Sequence, residues 1–238
     1  MSLASLSIVL PCFNEESNVV EAVRNAVAAA TACSDRYEVI VVDDGSSDGT
    51  TRVVTELAEP HVRLVLHTRN RGYGEALRSG IRAARMDWVL LADADLQFDL
   101  RELADFVPLT ASADALWGRR ILRQDTLLRR AYAGAWNRLV RALFALPVRD
   151  VDCGFKLIRG AMLRDLTLQT TGAMISTELA VQCLAQGARF AEIGVHHRPR
   201  IAGDETGGDP RVIVRALSEL MRMHRMLRRL SHGAAATS

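Results

Sequence analysis

The sequence predicts an α/β fold, a mostly parallel sheet flanked by helices, followed by a C-terminal helical region rich in arginine. Three observations carry this expectation. Short apolar runs alternate with amphipathic stretches of helical length through residues 6–95, the pattern of strand–helix–strand units whose helices cover both faces of a parallel sheet. Acid- and glycine-rich segments follow the apolar runs where strand-to-helix turns belong. A chain of 238 residues, 49% apolar and 24% charged with a net charge of +2, has material for one large core and is not a disordered polymer.

The elements follow in order. LSIVLP (6–11) reads as a buried strand ending in proline. Residues 15–32 place Val19, Val20, Val23 and Val27 at helical spacing, with acids in the first turn. A second strand (37–42) leads through a Gly/Ser/Asp turn to a helix from about Ser47 to Ala58. VRLVLH (62–67) is a third strand, Tyr73 to Arg85 a third helix, and WVLLADAD (88–95) a fourth strand ending in acids. Beyond about residue 110 the pattern loosens. Residues 126–146 are helical, 154–158 fit a strand, 176–186 a helix, and 189–200 a strand running into a loop. The glycine-rich stretch 201–210 is a loop, and 211–231 a last basic helix. This divides the chain into a domain over 1–210, with halves at 1–110 and 111–210, and a basic helix and tail over 211–238.

Composition excludes several classes. Cys12, Cys33, Cys153 and Cys183 form no C-x-x-C pair, so neither a disulfide scaffold nor a structural zinc site is expected. No run of about 18 apolar residues marks a transmembrane helix, and the N-terminus lacks the basic region of a secretion signal, which points to a cytoplasmic chain. Aromatic residues make up 5% and do not interleave with the basic ones, which argues against a nucleic-acid platform. The near-neutral total hides a division: residues 1–110 hold 10 basic and 17 acidic side chains, residues 111–238 hold 20 and 11. Lys156 is the single lysine.

Ligands of such sheets collect at the carboxyl ends of the strands, where this chain puts its acids. Alternation sends Asp93 and Asp95 of Asp93-Ala94-Asp95 to one side, within reach of a divalent ion bridging phosphates; hard oxygen ligands suit Mg²⁺ or Mn²⁺. An ordinary Asp-rich turn would look the same. Asp43-Asp44-Gly45-Ser46 fits either a carboxylate receiving a nucleobase or ribose, or a turn with a helix cap. Arg69-Asn70-Arg71-Gly72-Tyr73-Gly74 lacks the third glycine of the dinucleotide fingerprint, which disfavours a nicotinamide enzyme. His196 and His197, adjacent on a strand, point oppositely and do not share a metal.

Together, SIVLPCFNEE, VIVVDDGSSDGT, NRGYGEALRSGI and VLLADADLQFD resemble the successive signatures of family 2 glycosyltransferases with the GT-A fold, and within them the dolichol- or polyprenyl-phosphate mannosyltransferase-like group. The likeness continues through GRR (118–120), DVDCGFKLIRG (150–160), STEL (176–179) and VHHRPRIAG (195–203), so it covers roughly residues 6–205. It implies that Pro11, Phe13, Glu15 and Asp43 line the nucleotide pocket, and that Asp93, Ala94, Asp95 and Gln97 form the segment holding Mg²⁺ or Mn²⁺ and the donor diphosphate. Arg120, Arg129 and Arg200 would meet an acceptor phosphate. Asp95 and Arg120 would take part in catalysis, with Asp152 and Glu178 as candidate bases. Arg119, Ala133 and Glu205 depart from the family pattern.

The activity so implied is inverting transfer of a hexose, mannose or glucose, from a donor such as GDP-mannose or UDP-glucose to a polyprenyl or dolichyl phosphate. A hydroxyl acceptor is the alternative within the class, and a non-catalytic nucleotide-sugar or membrane-surface module the alternative outside it. Residues 119–141 and 211–230 read as basic amphipathic helices suited to an anionic membrane surface, or to packing on the sheet. Pairing of two copies through the C-terminal helix is a third reading.

Overall fold

The computed structural model describes residues 1–121, 127–172 and 174–198, with only the helix path given for 127–133. In chain order the elements are β1 (Leu6–Cys12), α1 (Val19–Cys33), β2 (Tyr37–Asp43), α2 (Thr50–Glu56), β3 (Val62–Leu66), α3 (Tyr73–Ala83) and β4 (Trp88–Leu91). There follow α4 (Leu103–Phe106), β5 (Ala115–Ile121), α5 (Leu127–Phe144), β6 (Lys156–Arg159), α6 (Gly160–Arg164), α7 (Ile175–Ala185) and β7 (Phe190–His196).

The strands form one sheet in the order β3-β2-β1-β4-β6-β5-β7. β1, β2, β3 and β4 are parallel, as are β5 and β7, and β6 runs antiparallel to both β4 and β5. All seven residues of β1 are buried, because helices cover both faces. Leu6, Ile8 and Leu10 face the layer with α1 and α4, while Val9 faces the layer with α3 and α7. Each such aliphatic side chain contributes about 2 kcal/mol when removed from water. That explains why β1 and β2 read as unbroken apolar runs rather than alternating ones.

The chain runs from β1 outward to β3, then crosses back to β4 on the other side of β1. The strand order reverses there, and the crevice at such a switch point is where open α/β sheets take ligands. β1 and β4 pair only as far as Val9 opposite Leu91, while β1 stays paired to β2 through Cys12 opposite Asp43. Pro11 sits where β1 parts from β4, so its missing N–H costs the ladder nothing on that side.

The structure corrects the sequence reading in three places. α1 begins at Val19, not Glu15, because Asn14 takes a left-handed conformation (φ 55°) and residues 15–18 form a turn. β4 ends at Leu91, so Asp93 and Asp95 lie in a loop, where strand alternation no longer orients them. β5 was not expected at all: Gly118, Arg119 and Arg120 break its apolar pattern, yet Ala115, Leu116 and Trp117 are fully buried between β6 and β7. The basic segment 211–238 and the loop 201–210 lie outside the described residues.

Candidate functional site

Three loops at the carboxyl edge build the site. The loops after β1 and β2 are laced together. Asn14 N donates to Ser46 Oγ (2.9 Å), Ser47 N to Asn14 Oδ1 (2.9 Å), Glu15 N to Thr50 Oγ1 (2.9 Å) and Gly49 N to Glu16 Oε2 (3.0 Å). Asp43, with no solvent exposure, accepts from Ser46 N (2.9 Å) and from the Thr51 hydroxyl. Glu15 is buried and accepts from Asn18 Nδ2 (2.7 Å). Pro11 is buried, and Phe13 is exposed at the rim. The negative charge here registers on Cys12, whose thiol is pushed far up by burial and then by Asp43, Glu15, Asp48 and Asp44.

The tandem aspartates divide the work. Asp44 Oδ1 accepts from Arg71 N (2.9 Å) and meets His67 Nδ1 at 2.6 Å, while Oδ2 accepts from Gly72 N (2.8 Å). His67 Nε2 lies 2.8 Å from Ser79 Oγ. Asp44 therefore fixes the 69–72 loop. Gly45 (φ 73°) allows that loop to close, since a Cβ there would lie 2.4 Å from the Arg69 carbonyl carbon. The sequence pointed to the pair without separating the two roles.

The third loop carries Asp93, Ala94, Asp95 and Gln97. Asp93 Oδ1 accepts from the Tyr73 hydroxyl (2.9 Å), and Asp95 Oδ1 from Gln97 N (3.1 Å). Burial, then Asp93, then Asp95 hold the Tyr73 phenol well above its usual range. Ala94 is buried in the α1-side layer. Gln97 Nε2 donates to the Arg198 carbonyl (3.2 Å), Arg198 N returns to the Gln97 carbonyl (2.8 Å), and Phe98 bridges His197. The extension of β7 is thereby strapped to this loop. Among the described residues no three His, Cys, Asp or Glu side chains form a ready metal cluster. Two carboxylates beside an amide are the partial oxygen set that Mg²⁺ or Mn²⁺ completes with substrate phosphates, so the donor set fits such an ion.

On the acceptor side, Arg120 forks onto Asp150, Nε to Oδ2 at 2.8 Å and Nη2 to Oδ1 at 2.6 Å. Burial works against the charge, but the Asp150 contact outweighs it and holds the guanidinium far above its usual range. The loop from 150 to 155 is pinned by Asn137, which accepts from Val151 N (2.9 Å), and by Trp117 Nε1, which donates to the Val151 carbonyl (3.1 Å). Gly154 packs on the Asp93 loop: a Cβ there would fall 2.2 Å from Asp93 Oδ2. Lys156, fully buried, donates to the Cys153 carbonyl and to Ser176 Oγ (3.1 Å), with its ammonium 5.7 Å from the Trp117 ring centre. Burial lowers its basicity, opposed by Cys153, Asp93, Asp152 and Asp150.

Glu178, expected as a candidate base, is tied to a loop. It is buried and accepts from Gln169 N (2.9 Å), Thr170 N (2.9 Å), Thr170 Oγ1 (2.7 Å) and Gln182 Nε2 (3.2 Å). These bonds anchor the 169–171 loop to α7. That loop in turn receives Gly74 N on the Thr171 carbonyl (2.9 Å). His196 is half-exposed and paired with Glu102 (2.8 Å), and His197 sets its ring edge-on to Phe98, so the two share no metal. Arg129 lies on α5, where its side chain is outside the described residues, as is Arg200. Asp150, Gly154 and Lys156 were legible only as members of the DVDCGFK motif.

A family model described as Glycosyl transferase family 2 matches residues 7–167. The chain is 31% identical over 212 residues to the undecaprenyl-phosphate 4-deoxy-4-formamido-L-arabinose transferase of Shewanella sediminis, covering 85% of this chain and 62% of that protein. It is 32% identical over 213 residues to the transferase of the same name from Sodalis glossinidius, covering 86% and 63%. The chain thus spans about three fifths of the length of these curated relatives. Among solved structures, glucosyl-3-phosphoglycerate synthase from Mycobacterium tuberculosis with Mn²⁺, uridine diphosphate and phosphoglyceric acid matches with a TM-score of 0.68 at 21% identity, over 93% of this chain and 75% of that one. Mannosyl-3-phosphoglycerate synthase from Rubrobacter xylanophilus matches with a TM-score of 0.71 at 20% identity, over 96% and 75%. These likenesses establish the GT-A fold.

Proposed function

The chain belongs to glycosyl transferase family 2, and from that premise we propose that it moves a sugar from a nucleoside-diphosphate donor to a polyprenyl phosphate. One observation carries the reading. The loops of Glu15 and Asp43 are hydrogen-bonded to one another, and the loop carrying the paired carboxylates Asp93 and Asp95 meets the 150–156 loop where Gly154 packs on Asp93. The names of the curated relatives support the acceptor class, and the Mn²⁺ and uridine diphosphate of the mycobacterial structure support the donor class.

In this reading Glu15 and Asp43 take the base and ribose. Asp93 and Asp95, with Gln97, hold Mg²⁺ or Mn²⁺, which when bound offsets the charge left on the departing diphosphate. The acceptor oxygen attacks the anomeric carbon as the bond to the diphosphate breaks, with inversion, and the nucleoside diphosphate leaves. A phosphate acceptor is already anionic and needs no strong base, so orientation supplies most of the rate. The sugar is a hexose, mannose or glucose, carried as GDP-mannose or UDP-glucose. The acceptor reaches the enzyme at the membrane surface. The outer face of α5 supports that contact, with Arg138, Leu139 and Leu143 exposed, and among the described residues no helix is long and apolar enough to cross a membrane.

The test is transfer of radiolabelled sugar from a panel of nucleotide sugars into undecaprenyl phosphate, with and without EDTA. Metal-dependent labelling of the lipid is expected, and no labelling from any donor overturns the proposal. A hydroxyl acceptor is kept as a second reading on one observation: the Arg120 fork is already engaged by Asp150. Asp152 would then be the base, and Asp152→Asn would abolish transfer to an alcohol while sparing transfer to a phosphate.

A further inference from the structure

A groove lies away from the carboxylate crevice. α3 touches the Asp93 loop through Tyr73 at its first turn. Arg78, Ile81 and Arg82 share another stretch of the helix, about 7–14 Å further along its axis at 1.5 Å per residue. They face α6 and the segment that follows it across a groove of about 410 Å³, with Arg164, Leu163 and Leu166 opposite. That volume lies in the small-molecule range, about 300–1,000 Å³. The lining holds three arginines and no carboxylate.

The positive charge here is under-compensated. Glu75, buried behind the groove, is the shared partner: it pairs with Arg78, lies 3.1 Å from Arg71 and 3.9 Å from Arg82. Arg164 donates to the Met86 carbonyl (3.4 Å), which leaves its charge unpaired by that contact. Arg78 also donates to the Leu168 carbonyl (2.9 Å), and its Nε is buried without a hydrogen-bond partner. Burial, together with Arg82 and Arg71, holds the Arg78 guanidinium below its usual range despite the pull of Glu178.

We propose that this groove binds a phosphate monoester carrying an apolar body, through Arg78, Arg82 and Arg164 at the phosphate and Ile81, Leu163 and Leu166 at the carbon chain. Guanidinium forks match phosphate oxygens, and three of them match a dianion better than a single carboxylate. The apolar wall between the arginines gives a hydrocarbon its own burial. A water-soluble ester and a phosphomonoester lipid headgroup share this chemistry. The site is independent of the proposed transfer reaction, since none of its residues lies in the donor or acceptor machinery.

The experiment is calorimetric titration of the full chain with octyl phosphate, inorganic phosphate and octanol, and flotation with phosphatidylcholine vesicles with and without phosphatidic acid. Octyl phosphate should saturate one site per chain. It should bind more than about tenfold tighter than phosphate, because burial of two methylenes already suffices for that. The Arg82→Gln/Arg164→Gln double variant alters two exposed side chains. It should weaken octyl phosphate at least about tenfold, as loss of charge-assisted bonds requires, while donor-nucleotide binding stays unchanged. Vesicle capture that needs both phosphatidic acid and these arginines assigns the ester to a lipid headgroup; octyl phosphate binding without capture assigns it to a free ester. Non-saturable binding, or equal affinity in the double variant, overturns the proposal.

Discussion

Gly154→Ala isolates the contact on which the proposed function rests. The added Cβ would stand 2.2 Å from Asp93 Oδ2 and 3.0 Å from Phe98 Cε2. Ordinary van der Waals contact begins at 3.4 Å, so the carboxylate and the loop must separate by about 1 Å. Asp93 yields more readily than backbone, being the end of a side chain held at Oδ1 by the Tyr73 hydroxyl. The fold should therefore survive. Catalysis should not, because a misplacement of about 1 Å costs roughly 100-fold in rate. The assay is initial-rate sugar transfer at saturating donor, paired with thermal melting and Mn²⁺ titration. We expect kcat to fall by about two orders of magnitude, with weakened Mn²⁺ dependence and a melting temperature within a few degrees of the parent. A folded variant with activity within threefold of the parent would refute the assignment of Asp93.

Other outcomes follow from the same coordinates. Gly134 sits in α5 with nothing within 4 Å of its Cβ position, so Gly134→Ala should stabilise the protein by about 0.5–1 kcal/mol in urea unfolding. Gly45→Ala should destabilise by more than about 1 kcal/mol, since it combines positive φ with a backbone clash at Arg69. Acid lability should centre on Asp99 and Asp114. The Arg101 partner, against burial, holds Asp99 at about 2, and Arg189, again against burial, with help from Arg159, holds Asp114 lower still. Both folded values lie below the unfolded one, so the stability they lend is present above about pH 4 and is lost as pH falls toward 2. Urea midpoints across that range should decline, and Asp99→Asn should flatten part of the slope.

The first half of the fold was legible because parallel strands buried on both faces write themselves as apolar runs, as β1 and β2 do. Its acids were legible because they follow those runs. The order of the strands was not, since nothing local in KLIR (156–159) says that β6 inserts antiparallel between β4 and β5. β5 was hidden because Gly118, Arg119 and Arg120 interrupt its apolar run. Asp93 and Asp95 were singled out by residue type, and misplaced by geometry: an alternation rule was carried four residues past the end of β4. Glu178 shows what residue type leaves out. An acid early in a helix looks like a functional group, yet its worth here lies in the Gln169 and Thr170 bonds that no spacing reveals.

The charge division of the sequence changes meaning once partners are known. A count of basic residues after position 110 suggests a field of arginines turned toward phosphate. Much of that charge is spent within the half: Arg120 on Asp150, and Arg159 and Arg189 on Asp114. Lys156, buried beside the 150–155 segment, forms its hydrogen bonds with neutral oxygens of Cys153 and Ser176. Burial works against its charge, and the acids around it work for it. Asp93, Asp152 and Asp150 are the acids that feel it. The acidic and basic halves meet at the 150–156 loop, and also where Arg198 pairs with Asp99 (2.8 Å). The same loop carries Gly154 to Asp93, so charge and shape converge on one segment.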